Sequence, residues 1–176
     1  MKINEILVDD QIIESFNSAV EYEKLPVEQH KEYSIHRFIL KTKPVLDVSI
    51  RLTDFGDKTI GDVVFFQHGE SNFKALNVFG TKGALSIFNT IMKLCETFID
   101  NVDIWNFSAK FSESASAKEF EKRTNLYDRI SLMMSRKHGL KLTSMTINGD
   151  KVYILSKEVI NKQTIVDYLE HCSAVD

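Results

Sequence analysis

Phe79-Gly80-Thr81-Lys82-Gly83-Ala84 decides how this chain is read, because the hydrophobic period changes there. Before it, Lys74 to Phe79 reads as a short apolar strand. After it, Ala84, Ile87, Phe88, Ile91, Leu94, Cys95, Phe98 and Ile99 step by three and four, which predicts a helix over 84–99 with one apolar face. Gly80, Thr81 and Gly83 let the backbone turn sharply between the two. The first amides of a helix have no partner within it, and the helix dipole stands behind them, so such a junction can hold an anion. Lys82 adds a positive charge. Gly80, Thr81, Lys82 and Gly83 are therefore either a cradle for a phosphate-bearing ligand or an ordinary strand-to-helix turn with a threonine cap and a solvated lysine.

Working back from the junction, strands come in close order. Thr59 to Gln67 is strongly apolar through Ile60, Val63, Val64, Phe65 and Phe66. The turn signal Asp54-Phe55-Gly56-Asp57 separates it from Val45, Val48, Ile50 and Leu52. Lys43-Pro44 separates that run from Tyr33 to Leu40. His68-Gly69-Glu70-Ser71-Asn72 turns the chain into Phe73 to Phe79, giving four strands whose short connections favour antiparallel neighbours. Earlier still, Glu21 to Lys31 is charged, carries Pro26 and reads as a connection. Ile12, Ile13, Phe16 and Val20 fall at helical spacing after a capping Asp9 or Asp10.

Working forward, Val102 to Ala109 reads as a strand, parallel to the one before it because a helix intervenes. Ser112 or Ser114 can cap the next helix, whose buried face is Phe120, Tyr127, Ile130 and Met134 and whose last turn carries Arg136, Lys137 and His138. Gly139 stops it. Leu140 to Ile147 and Lys151 to Leu155 flank Asn148-Gly149-Asp150 as a hairpin. Thr164 and Asp167 begin a terminal helix with Ile165, Tyr168 and Leu169 on one side. The expected fold is α+β: a mixed sheet of four antiparallel strands, then helix, strand, helix and a C-terminal hairpin. It is read as one domain over 1–176, with an N-terminal helix and connection in 1–30 and a helical tail in 157–176.

Composition narrows the function classes. With 176 residues, 43% hydrophobic content and a net charge of −3, the chain can bury a real core and gives no general reason to attract nucleic acid. The basic residues Arg123, Arg129, Arg136, Lys137 and Lys141 read as a solvated, dipole-favoured helix face and exit. The two cysteines, Cys95 and Cys172, are too few for a disulfide framework. No run approaches the roughly 18 apolar residues of a membrane-spanning helix. Glu5, Asp9 and Asp10 interrupt the amino-terminal stretch, so no secretory leader is read and a cytoplasmic location is expected. The five histidines lack metal-ligand spacing, so no metal site is expected, and neither a Walker lysine motif nor a G-x-S-x-G elbow occurs. Trp105 and Phe107 alternate on one side of their strand as core. Asn106 falls between them in an apparently buried place, where it must find a partner; a cleft between parallel strands is one such place.

The order of elements resembles the GNAT (acetyl-CoA-dependent N-acetyltransferase) fold over about Lys31 to Leu155. Asn125-Leu126-Tyr127-Asp128-Arg129 followed by His138-Gly139-Leu140 is similar to the end of that family's last major helix. Phe107-Ser108-Ala109-Lys110 with Arg123, Leu126 and Tyr127 resembles small phage-encoded GNAT-like proteins. The resemblance implies acetyl-CoA as cofactor, its pyrophosphate at Gly80, Thr81, Lys82 and Gly83, an amine as acceptor, and Tyr127 as the catalytic group that protonates the departing thiolate. The family often takes the amine proton with a carboxylate on a central strand. Phe73 to Phe79 has none, and His68, Glu70 and Asp103 are the nearby alternatives. The junction also departs from the family's R/Q-x-x-G-x-G/A pattern. The other implied reading is a GNAT-shaped module without cofactor that binds a host protein or sits on a phage particle, in the host cytoplasm or the virion.

Overall fold

The computed structural model describes residues 20–43, 45–69, 81–109 and 117–175. Strands β1 (Tyr22–Lys24), β2 (Glu28–Gln29), β3 (Tyr33–Leu40), β4 (Leu46–Phe55) and β5 (Lys58–Gln67) come first. Helix α1 (Thr81–Glu96), strand β6 (Ile104–Ala109) and helix α2 (Ala117–His138) follow. Strands β7 (Lys141–Ile147) and β8 (Asp150–Ser156) and helix α3 (Lys162–Val175) complete the chain. This is an α+β fold on a mixed, mostly antiparallel sheet of order β1-β3-β4-β5-β6-β8-β7, with β2 beside β3. The expected helix around Ile12 to Phe16, the expected strand Phe73 to Phe79 and the capping Ser112 and Ser114 lie outside the described residues.

Backbone pairing explains where the observed elements depart from the periodicity. Glu21 to Lys31 is not only a connection: Tyr22–Lys24 pairs antiparallel with Phe38–Leu40, and Glu28–Gln29 with Ser34–Ile35. Their side chains are exposed, so they carry no hydrophobic signature; β3 supplies the ladder that makes them strands. Helix α1 begins at Thr81, ahead of the expected Ala84, and stops at Glu96. Phe98 N–H donates to the Cys95 carbonyl at 2.9 Å and Thr97 Oγ1 to that of Leu94 at 2.7 Å, closing the end in tight turns. Helix α3 begins at Lys162, two residues ahead of the expected start, because Asn161 Oδ1 accepts the Gln163 N–H at 3.0 Å as a side-chain cap. Asn148 and Gly149, at φ 51° and 88°, form the two-residue turn that sets the β7–β8 register, Ile147 opposite Asp150.

The chain divides into two compact units, one of Met1–Val27, His36–Ser49 and Val64–Phe98, the other of Glu28–Ile35, Ile50–Val63 and Ile99–Asp176. In the first, Ile87, Phe88, Ile91, Leu94 and Cys95 of α1 are buried, as their spacing requires, together with Phe38, Leu40, Leu46 and Val48. Thr90 is buried too; its hydroxyl donates to the Ser86 carbonyl and accepts the Val20 N–H, each at 2.9 Å. The Cys95 thiol is buried, and burial pushes its pKa far above the ordinary value, so it behaves as an inert core group.

His36 in this unit gives a pH dependence. Its ring lies against Phe98 with 4.6 Å between centroids, and burial, then the Lys24 charge, lowers its pKa from the ordinary 6.5. The unfolded ring therefore takes a proton more readily than the folded one. Stability from the neutral ring is complete above pH 6.5 and is lost as pH falls through the lower folded value. The thermal midpoint is expected to fall on acidification across that window, and to fall less in His36→Gln. An identical pH slope in the variant would exclude His36 as the source.

Candidate polar site on the parallel strand pair

In the second unit β5 and β6 run parallel, with Ile60 opposite Ile104, Gly61 opposite Trp105 and Asp62 opposite Asn106. Side chains alternate across a strand, so this register sorts them onto two faces. Ile60 and Ile104 cluster with Val152, Ile154, Ile165 and Tyr168, which assigns their face to α3. Asp62 and Asn106 are the next residues along on that same face. The Asn106 amide donates to Asp62 Oδ1 at 2.6 Å, and the Tyr168 hydroxyl donates to Asp62 Oδ2. Asn106 is 9% exposed and Tyr168 2%, while Asp62 is half-buried. Asn106 Oδ1 has no hydrogen-bond partner among the described residues. The result is a carboxylate on an inner strand, oriented by two buried donors, with a second acceptor oxygen beside it. Such a pair of acceptors suits a group that brings N–H bonds, and the carboxylate can receive a proton from it.

The opposite face is aromatic. Trp105 is buried at 1% exposure, and Phe107 stacks on Tyr153 with centroids 5.7 Å apart. Tyr127 of α2 joins them, 6.1 Å from Phe107 and 5.8 Å from Tyr153, and is buried. Ile130 and Met134 are buried as expected, one and two turns on. The Tyr153 hydroxyl donates to the Thr124 carbonyl at 3.1 Å. Burial, then the Asp128 carboxylate beside it, pushes that phenol well above its ordinary pKa. Lys151 answers Asp128 at 2.7 Å. Asp62 of β5 and Tyr127 of α2 therefore stand on opposite faces of the sheet, Asp62 beside Asn106 and Tyr127 against Phe107.

The remaining candidates fall as follows. Gly80 and Glu70 lie outside the described residues. Thr81, Lys82 and Gly83 are the first three residues of α1, not a turn ahead of it. His68 Nδ1 lies 2.9 Å from an Asp47 oxygen, exposed, and its backbone N–H donates to Val45. Asp103 is a clip between strand starts: it accepts the Thr59 N–H at 2.9 Å and lies 3.9 Å from the Lys157 ammonium. It also lines a cavity of about 310 Å³ with Lys58, Lys157 and Glu158, at the N-terminal end of β6 and apart from Asp62. Lys58 meets Glu158 at 3.6 Å, so the charges of that cavity answer one another.

Asp62 was not visible as a functional residue in the sequence, where it is one charge inside an apolar strand. The available signal was Asn106, a buried amide in need of a partner. Among the described residues no group of three or more His, Cys, Asp or Glu side chains is arranged to hold a metal ion, and no helix is long and apolar enough to cross a membrane. No family model, curated protein or solved structure matches the chain.

Proposed function

We propose that this chain is a GNAT-like N-acyltransferase of the phage type, moving the acetyl group of acetyl-CoA to an amine. The observation that carries the reading is the Asp62 carboxylate beside the unpaired Asn106 oxygen, on the strand that runs parallel to β6. This supplies the inner-strand carboxylate that the expected strand Phe73 to Phe79 lacks. The element order agrees with the resemblance, as strands lead through a helix to a parallel strand, a helix and a hairpin.

Acetyl-CoA would supply an activated acyl group and a thiolate leaving group. Thr81, Lys82 and Gly83 fit its pyrophosphate as the first turn of α1, where backbone N–H groups have no partner within the helix. Asn106 Oδ1 would accept one N–H of the amine and orient it. Asp62 would take the proton that the amine gives up, held in position by Tyr168 and Asn106. Tyr127, which the resemblance implies as the proton donor to the thiolate, packs on the opposite face of the sheet from Asp62, and one acetyl carbon cannot lie within reach of both. With Asp62 as the base, the departing thiolate would take its proton from water.

A thermal shift tests this directly. A ligand that binds only the native state stabilises it by about 2.7 kcal/mol at a hundred times its Kd. Acetyl-CoA is expected to raise the thermal midpoint, and Lys82→Glu to reduce the rise by placing a negative charge where the phosphates bind. No rise with acetyl-CoA, or an equal rise in Lys82→Glu, would remove the cofactor site from 81–83.

One observation favours the second reading, a GNAT-shaped binding or structural module without cofactor. Tyr127 is packed among aromatics and Asp62 already receives two hydrogen bonds, so both can be purely structural groups. That module would bind a host or phage protein, and acetyl-CoA would leave its thermal midpoint unchanged.

A further inference from the structure

Strand β7 ends the sheet, and among the described residues no strand pairs with its outer side. Natural proteins usually blunt such an edge with proline, bulges or several charges, because free N–H and C=O groups invite another strand. The strand's own sequence supplies little of this protection. Its sequence Lys141-Leu-Thr-Ser-Met-Thr-Ile147 has no proline, and its only charge is Lys141 at one end. Its ladder with β8 is unbroken from Lys141 opposite Ser156 to Ile147 opposite Asp150. Leu142, Ser144 and Thr146 are exposed on one face. Helix α2 packs on β7 and carries the exposed Leu132 and Met133, 43% and 41% accessible.

The geometry points to a second copy of this chain as the occupant of that edge, paired antiparallel β7 to β7 about a two-fold axis at Ser144. The argument is self-complementarity. In that register Ser144 faces Ser144, Thr143 faces Met145, Leu142 faces Thr146, and Lys141 faces Ile147. No like charges are opposed, the Thr143–Met145 and Leu142–Thr146 pairs set a β-branched residue against an apolar one, and Ser144 can hydrogen-bond Ser144 across the axis. The ends match in charge as well. Ile147 lies opposite Asp150 within each copy, so Lys141, Ile147 of the second copy and its Asp150 fall in one row on one face. Lys141 then spans two strand spacings, roughly 10 Å, along Ile147 towards that carboxylate. Symmetry makes the pair twice. A seven-residue strand pair covers less than the about 1,600 Å² of a standard stable interface, so the dimer is concentration-dependent.

Sedimentation velocity across about 1 μM to 1 mM tests this, the range in which weak association is read. The wild-type chain is expected to pass from monomer to dimer. Ser144→Lys and Ser144→Glu, at an exposed position that leaves the fold intact by circular dichroism, are each expected to stay monomeric, because like charges meet on the axis. An equal mixture of the two is expected to regain the dimer. Lys141→Glu, which sets a carboxylate towards Asp150 of the second copy, weakens the dimer independently. A wild-type monomer throughout, variants that dimerise as the wild type does, or a mixture that stays monomeric would each overturn the proposal.

Discussion

Gly61→Val is expected to destabilise the sheet strongly, and Gly61→Ala to a smaller degree. A Cβ built at Gly61 would lie 2.8 Å from both Cε3 and Cζ3 of Trp105 and 3.2 Å from Val102 Cγ1. Trp105 is 1% exposed and stands directly opposite Gly61 on β6, so packing resists displacement of the indole. Inserting carbon into a packed core costs about 1–3 kcal/mol where the surroundings give way, and more where they cannot. Gly61→Ala is expected towards the middle of that range, and Gly61→Val, with two further methyl groups, beyond it. Trp105 is the chain's one tryptophan, so its fluorescence reports the site without a label. The urea midpoint should fall in the order wild type, Ala, Val, and the folded-state emission should move to the red. Trp105→Phe in the Gly61→Ala background should recover part of the loss. Equal midpoints for glycine and alanine would show that the indole has room to move.

The same contact shows why some of this fold is legible in the sequence and some is not. Strands β3 to β5, helices α1 and α2 and the β7–β8 hairpin follow from local period and turn chemistry, and each was expected within a few residues. Gly61 has no local reason in its apolar strand, because the reason for it stands 44 positions later in Trp105 and is set by register. Strands β1 and β2 had no local signal at all. Tyr22-Glu23-Lys24 and Glu28-Gln29 are short, polar and exposed, and become strands only because β3 offers a ladder. The start of α1 was misjudged for a related reason. Two glycines near Thr81 argue for a turn, yet a glycine costs a helix only about 1 kcal/mol, which packing of Ile87, Phe88 and Ile91 outweighs.

The polar site was half legible. A buried asparagine in β6 announces that a partner exists, since an unpaired buried amide is costly. It does not announce which strand brings the partner. The expected neighbour of β6 is Phe73 to Phe79, which has no carboxylate; the parallel partner described is β5, whose Asp62 stands opposite Asn106. Tyr168, read only as an apolar position of the terminal helix, turned out to be the second donor. Its phenol satisfies both descriptions, with the ring buried in the α3 cluster and the hydroxyl on the carboxylate.

Asp62 should therefore fail in two separable ways when changed. Asp62→Ala leaves the Asn106 amide and the Tyr168 hydroxyl without their acceptor, and each unsatisfied buried donor costs about 1–3 kcal/mol. Asp62→Asn keeps the size but turns an NH2 group towards one of the two donors, so a loss at the lower end is expected. Tyr168→Phe removes one donor and leaves the carboxylate in place, at about 1–2 kcal/mol. A double-mutant cycle between Asp62→Ala and Asn106→Ala should show a coupling of about 0.5–3 kcal/mol, as for residues in contact. These stability effects follow from the hydrogen bonds alone and hold whichever function is correct. Acetyl transfer discriminates between the two. If Asp62 takes the amine proton, Asp62→Asn lowers the rate by about 10² to 10⁴ at a temperature where the variant is folded, while Tyr168→Phe lowers it far less. Equal rate losses in the two variants would mean that the network only holds β5, β6 and α3 together, and that the carboxylate is a fastener in the sheet with no part in chemistry.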